Sequence, residues 1–135
     1  MKQESPAFRR AEEVNVVHSS ADADPAERLA RDLRAAGHRV RLDTLDVRPG
    51  DLTTRTVDRK IVGWVGGDIL ILCPPRDSHA YAHAWEAAGR HMTVLPVLLP
   101  GGRLPAVYAD VKAADLAADW DHGVTMLLTA IKRGR

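Results

Sequence analysis

One cysteine, Cys73, stands in a chain of 135 residues. That excludes an internal disulfide, and without a CxxC or Cys/His cluster no structural zinc site is expected. Aromatic residues make up only 4 % of the chain, so aliphatic side chains and alanine must build the core. No stretch approaches the roughly 18 consecutive apolar residues of a membrane span. The opening Met1-Lys2-Gln3-Glu4-Ser5-Pro6 lacks the apolar segment of a secretory signal, which predicts a cytoplasmic domain. A charge excess is lacking too: 19 basic against 18 acidic residues leave a net charge of +1, no electrostatic footprint for nucleic acid. Arg9-Arg10 and the run Ile131 to Arg135 are basic but terminal, where solvated ends are the ordinary outcome. No internal repeat or low-complexity segment is visible.

Hydrophobic residues at 45 % and charged residues at 27 % describe a globular chain of one-domain length. Residues 1–13 are polar and read as a flexible arm, with a single domain over 14–133. Val14 to His18 is a β-branched run suited to a strand. The polar loop Ser19 to Asp24 follows. Asp24 reads as the N-cap of a helix with Pro25 at its first position. Ala26, Leu29, Ala30, Leu33 and Ala36 form its apolar face, and Gly37 supplies the left-handed stop. His38 to Leu42 alternates as a second strand. Pro49-Gly50 marks a turn, after which Asp51 is placed to cap a helix from Leu52 to about Trp64, broken by Gly63, Gly66 and Gly67. Asp68 to Cys73 is continuously apolar after its first residue, as in a central strand covered on both faces. A helix from about Ser78 to Arg90, a strand from Thr93 to Leu99, a short edge strand within Val111 to Leu116, and a final helix from about Trp120 to Lys132 complete the order. Pro96 is awkward for a ladder position.

Strand and helix alternate about five times. The fold class is therefore α/β, a three-layer, flavodoxin-like, doubly wound parallel sheet of about five strands. Ligands on such sheets sit beyond the C-terminal strand ends, here the loops 19–24, 45–51, 73–78 and 100–103. A phosphoacceptor receiver domain would need an acidic pair after strand one, an Asp ending strand three and a Lys ending the last strand; strand three ends Leu72-Cys73. A flavin-phosphate loop fits poorly with the carboxylate in Ser19-Ser20-Ala21-Asp22, and no GxGxxG or P-loop is present.

Ser19-Ser20-Ala21-Asp22 resembles the Ser-rich, Asp-containing opening of Toll/interleukin-1 receptor (TIR) domains. The stretch from Val40 to Asp51, with Leu42-Asp43, Asp46-Val47-Arg48 and Pro49-Gly50-Asp51, is similar to the second strand and the following BB loop of that family. Ile71-Leu72-Cys73-Pro74 looks like its third-strand end, with Cys73 for a frequent Ser. Leu95-Pro96-Val97-Leu98-Leu99 looks like its fourth strand, which accounts for Pro96. The resemblance spans about 14–133, and the abundance of Ala, Arg and Asp suggests a GC-rich bacterial source.

The resemblance implies one of two functions. Some TIR domains cleave the nicotinamide–ribose bond of NAD, in bacterial defence or cell-death signalling. A fixed glutamate on the third helix stabilises the positive charge left on the ribose. Others only assemble with TIR partners, here through loop Asp46–Asp51. Counted from Trp85, the family's glutamate position falls on Ala88 or Gly89; counted back from Pro96, it falls near His83. Glu86, the only carboxylate on this helix, lies about one turn from position 89 and is the candidate catalytic residue; it reads equally as a surface glutamate. Ser19, Ser20, Asp22, Asp43, Asp46 and Trp85 are the candidate nucleotide contacts, with NAD as substrate and no resident cofactor. Ser19, Ser20 and Asp22 read equally as helix caps, whereas Trp64 and Trp85 read as packing in preference to cofactor stacking. His79 and His83 share a helix face, but no carboxylate completes a HExxH-type set, so no metal is expected.

Overall fold

The computed structural model describes residues 13–76, 79–108 and 110–133; the N-terminal arm expected over residues 1–13 lies outside them except for Glu13. Five parallel strands form one sheet in the order β2-β1-β3-β4-β5. They are β1 (Glu13–His18), β2 (Arg39–Thr44), β3 (Ile69–Cys73), β4 (Thr93–Leu98) and β5 (Ala114–Asp115). Val14, Ile69 and Thr93 lie in one row across the three central strands. All five β3 residues are buried, as an apolar run with helices on both faces requires.

Four helices cover the sheet: α1 (Ala23–Ala35), α2 (Thr53–Trp64), α3 (His79–Ala88) and α4 (Trp120–Arg133). One core lies under α1 and α4, where Leu29, Leu33, Leu127 and Ile131 meet Val14, Val16, Ile69 and Ile71. The second lies under α2 and α3, where Val57, Ile61, Trp64, Tyr81 and Ala84 meet Val17, Leu70 and Leu72. Alternate β-strand residues supply the two faces, which produces the three layers. No described helix is long and apolar enough to cross a membrane.

Several local expectations need correction. A 3₁₀ turn over Ser20–Asp22 runs straight into α1 at Ala23, so Asp24 lies inside the first turn and is not its cap. Pro25 is the third helical residue, where an N–H is still not needed. Neither Ser19 nor Asp22 caps a backbone N–H of these helices. Ala36 lies past the end of α1 and is exposed. Gly37, at φ +100°, provides the stop as expected. Asp51 does not cap α2, whose N-cap position is Leu52 with no side-chain bond; its carboxylate turns back to the Arg48 N–H at 3.0 Å instead. Gly63 sits inside α2, and the reversal comes at Gly66, at φ +114°.

β5 is shorter than expected, and its two residues pair only with Val97 and Leu98. Leu98 accepts the N–H of Leu116 from that side at 2.9 Å. Residues two apart on a strand turn their backbone groups the same way. The imino nitrogen of Pro96 therefore faces the stretch of β4 edge that β5 leaves unpaired, which is where a strand tolerates proline.

Candidate functional site

The C-terminal ends of β1 and β2 carry the first cluster. Ser20 donates both its backbone N–H, at 3.0 Å, and its hydroxyl to the Asp46 carboxylate. These two bonds, with the charges of His18 and Arg48, outweigh slight burial and hold Asp46 below the usual carboxylate range. Ser19 donates its hydroxyl to Asp22 at 3.1 Å. Beneath them Tyr81 of α3 reaches across to the Leu45 carbonyl at 3.2 Å; burial first, then nearby negative charge, pushes its phenol up. A cavity of about 280 Å³ opens here, lined by Ser19, Leu45, Asp46, Val47, Thr53, Pro75, His79, Ala80 and Tyr81.

The loop after β2 is braced from within. Arg48 donates its N–H to the Asp51 carboxylate and accepts the Asp51 N–H at 2.9 Å. Gly50 takes φ +96° at the turn, a value an L-residue resists. This bracing leaves Val47 39 % and Leu52 59 % exposed, two apolar side chains held outward on either side of a tight turn.

The other candidates are dispersed. Asp43 points into α2, accepting the Trp64 indole N–H at 2.9 Å and Lys60 Nζ at 3.2 Å. It does not line the cavity. Trp64 is buried, a packing residue. Trp85 is half-buried and stacks on Tyr108, ring centroids 4.2 Å apart at 15°. Glu86 is exposed beside Tyr108, whose phenol is raised by its own burial and then by the charge and hydrogen bond of Glu86. Glu86 does not line the cavity either. His83 bonds Asp58 of α2 at 2.9 Å, and among the described residues no group of three or more metal-ligating side chains is present. Cys73 is fully buried, and burial pushes its thiol up.

A larger hollow of about 570 Å³ lies at the opposite edge of the sheet. Leu95, Pro96, Ala113, Ala114, Met126, Leu127 and Ala130 line it, with Thr93, Thr125, Thr129 and Lys112. The two-residue β5 causes it, because the first half of β4 has no neighbouring strand and α4 spans the gap.

Of the residues singled out in the sequence, the fold thus joins Ser19, Ser20, Asp22 and Asp46 and leaves Asp43, Trp85 and Glu86 elsewhere. Sequence reasoning missed Tyr81, although a polar-tipped ring on the alanine-rich buried face of α3 was the available signal. It also missed the β4–α4 hollow, whose shape depends on how short β5 is.

The TIR domain of the Toll-related receptor TRR-2 from the lower metazoan Hydra magnipapillata has a similar fold, with a TM-score of 0.62 at 17 % identity over 88 % of this chain and 97 % of that one. No curated protein matches this sequence significantly. A family profile described as TIR domain matches residues 14–128, nearly the whole of the folded unit, and the chain therefore belongs to the TIR domain family.

Proposed function

We propose that this TIR domain is an assembly module that docks head to tail on further copies of itself. The observation that carries the reading is the placement of two unlike surfaces on opposite edges of one sheet. The loop with Val47 and Leu52 follows β2, the first strand in the sheet order, and the apolar hollow lies against β4 and β5, the last. A contact between unlike patches is heterologous; repeated, it extends a chain of subunits unless its rotation closes a ring. Exposed apolar side chains on a rigid turn suit such a hollow, because little ordering entropy is lost on docking.

Concentration-dependent light scattering tests this. Leu52→Asp and Met126→Asp each abolish growth while leaving thermal unfolding near that of the parent. A mixture of the two variants forms one-to-one pairs and stops there, because one sound loop and one sound hollow remain. Unimpaired growth of both variants would sink the reading.

A second reading has its own observation: Ser19, Asp46 and Tyr81 converge on a cavity at the strand ends, where α/β sheets bind ligands. In it the domain cleaves NAD between nicotinamide and ribose, as a defence or cell-death signal. Ser19, Ser20, Asp22 and Asp46 hold the nucleotide and Glu86 stabilises the oxocarbenium-like state. It ranks second because Glu86 lies outside that cavity and the volume falls just short of the roughly 300–1,000 Å³ usual for small-molecule sites. Nicotinamide release, followed by chromatography and lost in Glu86→Gln, is its test.

A further inference from the structure

The docking loop is surrounded by cations. Arg48, Arg55 and Arg59 are exposed, and none makes an ion pair among the described residues. Leu52, Arg55 and Arg59 recur at helical spacing and share one face, around a hollow that Asp51 also lines. The remaining charges nearby are engaged internally: Lys60 with Asp43, Asp58 with His83, Asp46 with Ser20.

The opposite edge carries the complementary sign. Asp115, Asp119 and Asp121 are exposed where β5 leads into α4. Asp115 and Asp119 each give one oxygen to a backbone N–H, of Ala118 and His122, which leaves their charge in place. None of the three pairs with a cation among the described residues. Two cations break the pattern on that edge, as Asp51 does around the loop: Lys112, which lines the apolar hollow, and Arg28 of α1, whose guanidinium lies 4.1 Å from the centroid of the Trp120 ring.

We infer that charge selects and orients the second copy: Arg48, Arg55 and Arg59 of one copy face Asp115, Asp119 and Asp121 of the next, and Asp51 faces Lys112. This rests on the head-to-tail reading above. The sign pattern also excludes the symmetric alternatives. A loop-to-loop dimer sets arginines against arginines, and an edge-to-edge dimer sets aspartates against aspartates. Like charges in contact are an effective device against a wrong partner or orientation.

The test combines salt with charge reversal. Raising salt from about 50 mM to about 500 mM shortens the screening length several-fold and lowers the initial rate of growth by roughly ten-fold or more. Arg55→Glu/Arg59→Glu and Asp119→Arg/Asp121→Arg each fail to assemble alone. Mixed, they assemble again as an alternating copolymer, since every interface is then complementary. Asp121→Arg alone, which removes no backbone bond, gives the same direction if the double variant is poorly folded. Growth that is salt-independent and survives both reversals, while Leu52→Asp still blocks it, overturns the charge inference and spares the docking reading. A wild-type protein that never assembles, or growth that survives Leu52→Asp, removes the docking reading and this inference with it.

Discussion

Trp64 donates its indole N–H to the Asp43 carboxylate at 2.9 Å, across 21 residues of chain, and so ties α2 to the end of β2. Burial raises the Asp43 pKa, but the bonds from Trp64 and Lys60, the Lys60 charge and the Thr44 N–H together bring it below the ordinary value. A carboxylate depressed on folding contributes stability that is fully present above its unfolded pKa of about 3.9. That contribution is lost as pH falls through the lower folded value. Asp43→Asn is expected to lower stability near neutral pH, by less than about 1 kcal/mol because the carboxylate and its Lys60 partner are partly solvated, and the gap to the parent closes in acid. Urea midpoints at neutral pH and well below pH 4 check this; a gap that persists in acid would mean that the charge plays no part.

Two glycines separate space from conformation. A Cβ on Gly63 meets nothing within 4 Å, whereas one on Gly102 falls 2.7 Å from the Pro74 carbonyl oxygen. Gly63→Ala stabilises α2 by about 0.5–1 kcal/mol. Gly102→Ala forces backbone apart and destabilises by about 1–3 kcal/mol. Thermal unfolding of the two variants should shift in opposite directions.

Cys73 is fully buried at the end of β3, with its thiol shifted up by burial and then by Asp22. A thiol without thiolate character or access is inert. A thiol-specific reagent should leave the native protein unlabelled over hours and label it once urea unfolds it. Rapid labelling of native protein would show that this strand end opens.

Glu86 stands on the exposed side of α3 beside Tyr108 and away from the strand-end cavity. Assembled protein is therefore expected to leave NAD intact, with Glu86→Gln indistinguishable from the parent by nicotinamide chromatography. Release that falls at least about a hundred-fold in Glu86→Gln would reverse the order of the two proposed functions.

The fold was legible where one residue type has one physical outcome. The apolar run Ile69–Cys73, short and closed by Pro74-Pro75, reads as a doubly covered strand, and Gly37 after an amphipathic helix reads as a left-handed stop; both are what the fold shows. Local caps were not legible, because Ser19, Asp22, Asp24 and Asp51 are all competent by type, yet none of them caps a helix N–H; Ser19 and Asp22 bond each other instead. The Asp51 carboxylate is taken by the Arg48 N–H, three residues back in its own loop. Asp43 shows the same limit at longer range: its partners Trp64 and Lys60 become neighbours only when α2 packs on β2. The pairing of Trp85 with Tyr108 likewise depends on a loop path that no periodicity encodes. Ser20 and Asp46 meet because β1 and β2 end side by side, an adjacency that the chain order leaves open.

Pro96 presents its imino nitrogen to the unpaired part of β4, so that edge lacks a donor where an incoming strand would need one. Neighbouring molecules can rest side chains there, but they cannot extend the sheet through it by main-chain bonding. Under the proposed docking, the proline keeps association reversible: concentrated protein should dissolve on dilution, and Pro96→Val, which restores the missing donor, should slowly form material that does not.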